Sequence, residues 1–124
     1  MLNWKPGAAA AIAFLASGLG ACGGGGNESG PPDEISVYPA AVSVSGGGSC
    51  AVGIGPTVHV YGGQPPYELS NSVPDGMVLD KSVLTHSGEG FTVSFINGVC
   101  MDSMPIVVED DMGRLATVTV SNTP

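Results

Sequence analysis

Glu109-Asp110-Asp111-Met112-Gly113-Arg114-Leu115-Ala116-Thr117-Val118-Thr119-Val120-Ser121 decides the fold class. Ala116, Val118 and Val120 alternate with Thr117, Thr119 and Ser121, the period of a half-buried strand. Asp110–Gly113 is a turn, and Gly113 supplies the positive φ of a hairpin loop. Upstream, Ile106 and Val108 form the matching arm. Working outward, Phe91, Val93 and Phe95 share one face, with Thr92 and Ser94 on the other. Val58 and Val60 alternate with Thr57, His59 and Tyr61. Ile35 and Val37 precede Pro39, and Val42 and Val44 follow it, so Pro39 breaks an edge strand into two halves. Tyr67 and Leu69 suit another strand, with weaker runs at 77–79 and 83–85. No helical spacing appears after residue 22. The expected fold is all-β, an antiparallel β-sandwich of about seven strands.

The chain has 124 residues, so it holds one domain and a short tail. Its 3 Lys and Arg against 11 Asp and Glu give a net charge of −8, which excludes an electrostatic grip on nucleic acid. Its 20 Gly and 10 Pro argue against a helical bundle.

The amino-terminal segment reads as an export signal. Lys5 gives a positive start, and Gly7–Ala16 is apolar but too short to span a bilayer comfortably. The run ends in Leu19-Gly20-Ala21-Cys22. This resembles the lipobox of bacterial lipoproteins, in which the Cys accepts lipid and becomes the first residue after cleavage. The resemblance implies a signal peptide at 1–21, lipidation of Cys22 and anchorage in the cell envelope. Gly23, where inner-membrane lipoproteins often carry Asp, favours the outer membrane. Removing Lys5 leaves Lys81 and Arg114 against 11 acids, a charge of −9. The acyl chains then do the anchoring, at roughly 0.8 kcal/mol per buried CH2. Residues 22–34 carry no apolar anchor beyond the Cys and read as a flexible tether. The folded part is expected at 35–124.

Gly62-Gly63-Gln64-Pro65-Pro66-Tyr67, followed by Val108-Glu109-Asp110-Asp111-Met112-Gly113 and alternating Thr and Val, resembles bacterial immunoglobulin-like domains. That resemblance covers most of 35–124 and implies an immunoglobulin-like sandwich. Two antibody-type features are missing: the single Trp is Trp4, outside the 35–124 segment, and Gly98 rather than a Tyr stands two residues before Cys100.

With Cys22 lipidated, Cys50 and Cys100 remain, and an exported compartment permits their disulfide. Neither Cys lies in a strong strand pattern, so the bridge is expected to clamp two loops at one end. Free thiols and a metal pair are the alternatives; a zinc site needs further ligands that the spacing does not supply.

Other candidate chemistry is sparse. His59 falls on the polar face of its strand and His86 in a loop, neither within a nucleophile motif; the chain is not expected to be an enzyme. Glu109, Asp110 and Asp111, with Asp75 or Asp80, are candidate Ca²⁺ oxygens, against the plainer reading of a solvated turn. Met77, Met101, Met104 and Met112 are candidate copper thioethers, or core filler. No cofactor is expected. The tether is expected to enter at the end carrying 62–66 and 110–113. The opposite, distal end then presents Ile54, Val99, Met101 and Met104 as a partner patch. The expected function is a non-enzymatic protein-interaction or structural module, held to a membrane by lipid and contacting an envelope or extracellular protein. The alternative is a glycan- or metal-binding module, for which only Tyr38, Tyr61 and Tyr67 are available as aromatics besides Trp4 and the Phe residues.

Overall fold

A computed structural model describes residues 31–124. The expected signal segment at 1–21, the expected lipid acceptor Cys22 and the expected tether as far as residue 30 lie outside the described residues. The rest forms nine strands and, among the described residues, no helix: β1 (Ile35–Tyr38), β2 (Ala41–Ser45), β3 (Gly53–Gly62), β4 (Tyr67–Asn71), β5 (Met77–Leu79), β6 (Val83–Leu84), β7 (Gly90–Phe95), β8 (Met101–Glu109) and β9 (Leu115–Thr123).

They make a two-sheet sandwich. One sheet has five strands in the order β2-β9-β8-β4-β6; the other has four, β1-β3-β7-β5. All pairings are antiparallel except β2 with β9. The count exceeds the expected seven for two reasons. Pro39 has no N–H to continue a ladder, so the first strand splits, and its halves join different sheets. Both weak runs, 77–79 and 83–85, contribute short edge strands, one to each sheet.

Period-two patterning carries into the core as expected. Val58, Val60, Tyr67, Phe91, Val93, Ile106, Val108, Val118 and Val120 are fully buried between the sheets. Each such side chain contributes about 1.5–3 kcal/mol relative to exposure. Thr117 and Thr119 alternate with them on the outer face. Tyr67 is buried with its hydroxyl donating to the Gly62 carbonyl, which satisfies the one polar atom it brings into the core. Burial pushes the Tyr67 phenol up from its ordinary value.

The last residues of the expected tether are part of the domain. Glu34 N–H donates to Pro31 O, and Gly63 N–H donates to both Pro31 O and Glu34 O. Arg114 Nη1 donates to Pro32 O at 2.9 Å. Gly63 holds a positive φ of 58° there, a conformation glycine adopts without Cβ strain. These bonds hold 31–34 against the domain, so the folded part includes residues that were expected in the tether.

Candidate functional site

The two ends of the sandwich are built differently. The entry end gathers residues 31–34, the 62–66 turn and the β8–β9 hairpin. Asp110 organises it. Its carboxylate accepts from the backbone N–H groups of Gln64 (2.9 Å), Met112 (3.0 Å) and Arg114 (2.8 Å). It also pairs with Arg114 Nη1 at 3.0 Å. The side chain has no solvent exposure. Burial pushes its pKa up, but the Gln64, Arg114 and Met112 N–H groups and the guanidinium outweigh burial and hold it below the usual carboxylate range. Asp110 is therefore a structural clamp and not the solvated turn acid, or calcium ligand, that its neighbours suggest. Glu109 points outward and Asp111 lies exposed on the turn, so the three carboxylates do not converge. Asp80 Oδ1 accepts from Thr92 N–H in the other sheet. Among the described residues no group of three or more His, Cys, Asp or Glu is placed to hold a metal.

The opposite end carries the disulfide. Cys50 and Cys100 are bonded with Cα atoms 5.3 Å apart, joining the β2–β3 loop to the segment before β8, a loop-to-loop clamp as expected. A second stitch sits beside it. Asn122 is 1% exposed; its Oδ1 accepts from Ala51 N–H at 2.8 Å. Its Nδ2 donates to Ala51 O at 3.0 Å and Val99 O at 3.2 Å. The sequence held a signal for this: Asn122 falls in the inward phase of Val118 and Val120, where a polar residue needs partners.

The proposed partner patch is only partly at the surface. Ile54 is 86% exposed, and Val52, which the sequence reading passed over, is 68% exposed. Val99 is half-buried against Gly76, where an added Cβ would lie 2.8 Å from Val99 Cβ and 3.0 Å from Met101 Cε. Met101 does not belong to the patch. β8 begins at Met101, in register with Asn122, and its side chain turns inward to 7% exposure. Met104 is half-buried and packs on the core. Met77 is also core, and Met112 stands on the hairpin at the entry end. The four thioethers therefore form no common copper site.

The remaining candidates are held locally. His59 Nδ1 is 3.0 Å from Gly88 O, and its ring lies 6.3 Å from that of Tyr61. His86 sits in a loop whose N–H groups at Thr85 and His86 donate to Glu89. Those bonds, the Thr85 N–H first, outweigh desolvation and lower the Glu89 pKa. Lys81 reaches Glu89 Oε2 at 3.4 Å and Gly90 O at 3.0 Å. Tyr67 is buried, Tyr61 half-buried and Tyr38 exposed, with Tyr38 in register opposite His59. A cavity of about 300 Å³ opens between β4 and β5, lined by Leu69, Pro74, Met77, Leu79 and Lys81 among others.

No protein-family model matches the chain, and no curated protein or solved structure matches it either.

Proposed function

We propose that the chain is a bacterial envelope lipoprotein. Its signal at 1–21 is removed, Cys22 is lipidated, and a single immunoglobulin-like domain serves as a non-enzymatic protein-interaction or structural module. The observation that carries this reading is Leu19-Gly20-Ala21-Cys22 closing the apolar run that follows Lys5. The split first strand, with β2 parallel to β9, supports the immunoglobulin-like assignment. Gly23 favours the outer membrane.

The architecture suits a tethered module. With 31–34 bound to the domain, residues 22–30 are the spacer, and they reach at most about 30 Å. The chain enters at the Asp110 end, so the disulfide end faces away from the anchor. There Val52, in the loop fixed by the disulfide and Asn122, and Ile54, at the start of β3, stand exposed. A small apolar patch on a rigid tip suits protein contact.

The test is metabolic labelling with an alkynyl fatty acid, followed by membrane fractionation. The native chain is expected to label and sediment with membranes; Cys22→Ser is expected to lose both. A Cys22→Ser protein that still takes up the fatty acid refutes the lipobox assignment.

A further inference from the structure

Strand register lays one unusual row across the outer face of the five-stranded sheet. Leu115 lies opposite Glu109, Glu109 opposite Glu68, and Glu68 opposite Val83. All four are exposed, Leu115 at 62% and Val83 at 46%. The next rows are neutral: Thr117, Val107 and Ser70, then Thr119 and Pro105. Two carboxylates thus face each other directly, with Cβ atoms about 4.5–5.5 Å apart, an arrangement that destabilises a sheet. Neither has a hydrogen-bond or ion-pair partner among the described residues. The nearby cation, Arg114, is spent on Asp110 and Pro32 O, and Lys81 on Glu89 and Gly90 O.

The fold gains nothing from this pair, and its surroundings specify what would. The charge calls for a cation. The exposed Leu115 and Val83 at the two ends of the row, with exposed Met112 on the adjoining hairpin, call for apolar groups around that cation. A bare ion would leave them in water. A second copy of this chain, at −9 after signal removal, brings the wrong sign. We propose that this face docks a basic segment of another protein in extended form, with an Arg or Lys between Glu68 and Glu109 and apolar side chains on Leu115 and Val83. The dimensions agree. Four strands at about 4.8 Å spacing make a row about 14 Å long. In an extended segment of pattern apolar-x-Arg-x-apolar, the three like-facing side chains span about 13 Å at 3.3 Å per residue. An Arg fork is suited to bridging two carboxylates. The site lies near the entry end, apart from the distal tip, and stands or falls independently of it.

The test uses the chain from residue 22 carrying Cys22→Ser, labelled with ¹⁵N, and the peptide Leu-Ser-Arg-Ser-Leu. Leu-Ser-Glu-Ser-Leu is the control. Arg-peptide titration is expected to shift the amides of 68, 83, 109 and 115 most, with weakening at high salt. The Glu peptide is expected to shift none of them. E68Q/E109Q is expected to weaken binding at least tenfold while its melting temperature stays the same or rises, which separates lost docking from lost folding. Equal binding by the double variant, or shifts centred elsewhere, overturns the proposal. So does the same shift pattern produced by Ca²⁺ alone, or by raising protein concentration until a dimer forms.

Discussion

Replacing Asn122 with Ala removes three hydrogen bonds, of 2.8, 3.0 and 3.2 Å, from a side chain that is 1% exposed. Each is worth about 1 kcal/mol net, and the Ala51 and Val99 backbone groups left behind lose their partner. The expected cost is about 3 kcal/mol. For a domain of this size that is roughly 12–24 °C in Tm. The disulfide spans 50 residues, and in the chain-entropy model such a loop contributes about 4 kcal/mol. Both devices tie the 50–51 segment to 99–100. Once the disulfide is cut, the β2–β3 loop opens more readily and takes part of the Asn122 stitch with it. The double change is therefore expected to cost less than the two single costs combined, by about 1 kcal/mol or more. Denaturant unfolding of Asn122→Ala, with and without reduction, reads all four corners of the cycle. A loss below about 1 kcal/mol for Asn122→Ala, or strict additivity with reduction, refutes the picture of two stitches on one seam.

Three further outcomes follow from the same geometry. Asp110 has its pKa lowered on folding, so its stabilisation is present in full above the ordinary carboxylate range and is lost as pH falls through the lower native value; acid titration of Tm is expected to flatten in Asp110→Asn, which also loses stability at neutral pH. Met101→Ser is expected to cost about 3 kcal/mol or more, because it empties and polarises a core position, whereas Ile54→Ser stays within about 0.5 kcal/mol; thermal melts of the two variants distinguish core from surface. Gly55→Ala places a Cβ 2.7 Å from Phe95 Cε2 and 2.7 Å from Val93 O, and is expected to cost about 2 kcal/mol by overpacking, measured by chemical denaturation.

Much of the sandwich was legible because alternation is local. The inward phase of Phe91, Val93 and Phe95 needs only the pleat, and Asp110–Gly113 needs only turn chemistry. The entry geometry also followed from strand parity, and it holds because β5 and β6 run in the same direction, antiparallel to β7 and β4, and so make one pass between them rather than two. What failed was local in another sense. Met101 reads as a loop residue beside Cys100, yet β8 starts at that position, and its partner Asn122 lies 21 residues away. Asp110 reads as one of three similar acids, and only the folded chain brings Gln64 N–H and the Arg114 side chain onto it.

The sequence alone determined the all-β class and most of the inward-facing residues, because alternation depends on spacing within a few residues; the pairing of Cys50 with Cys100 was an expectation that rested on the lipobox resemblance at Cys22, and the folded chain shows it. Tertiary structure decided which sheet each half of the first strand joins, which methionine is core, how Asn122 doubles the disulfide clamp, and that Glu68 faces Glu109. Those are matters of register between strands distant in the chain, and register is set by how whole faces pack.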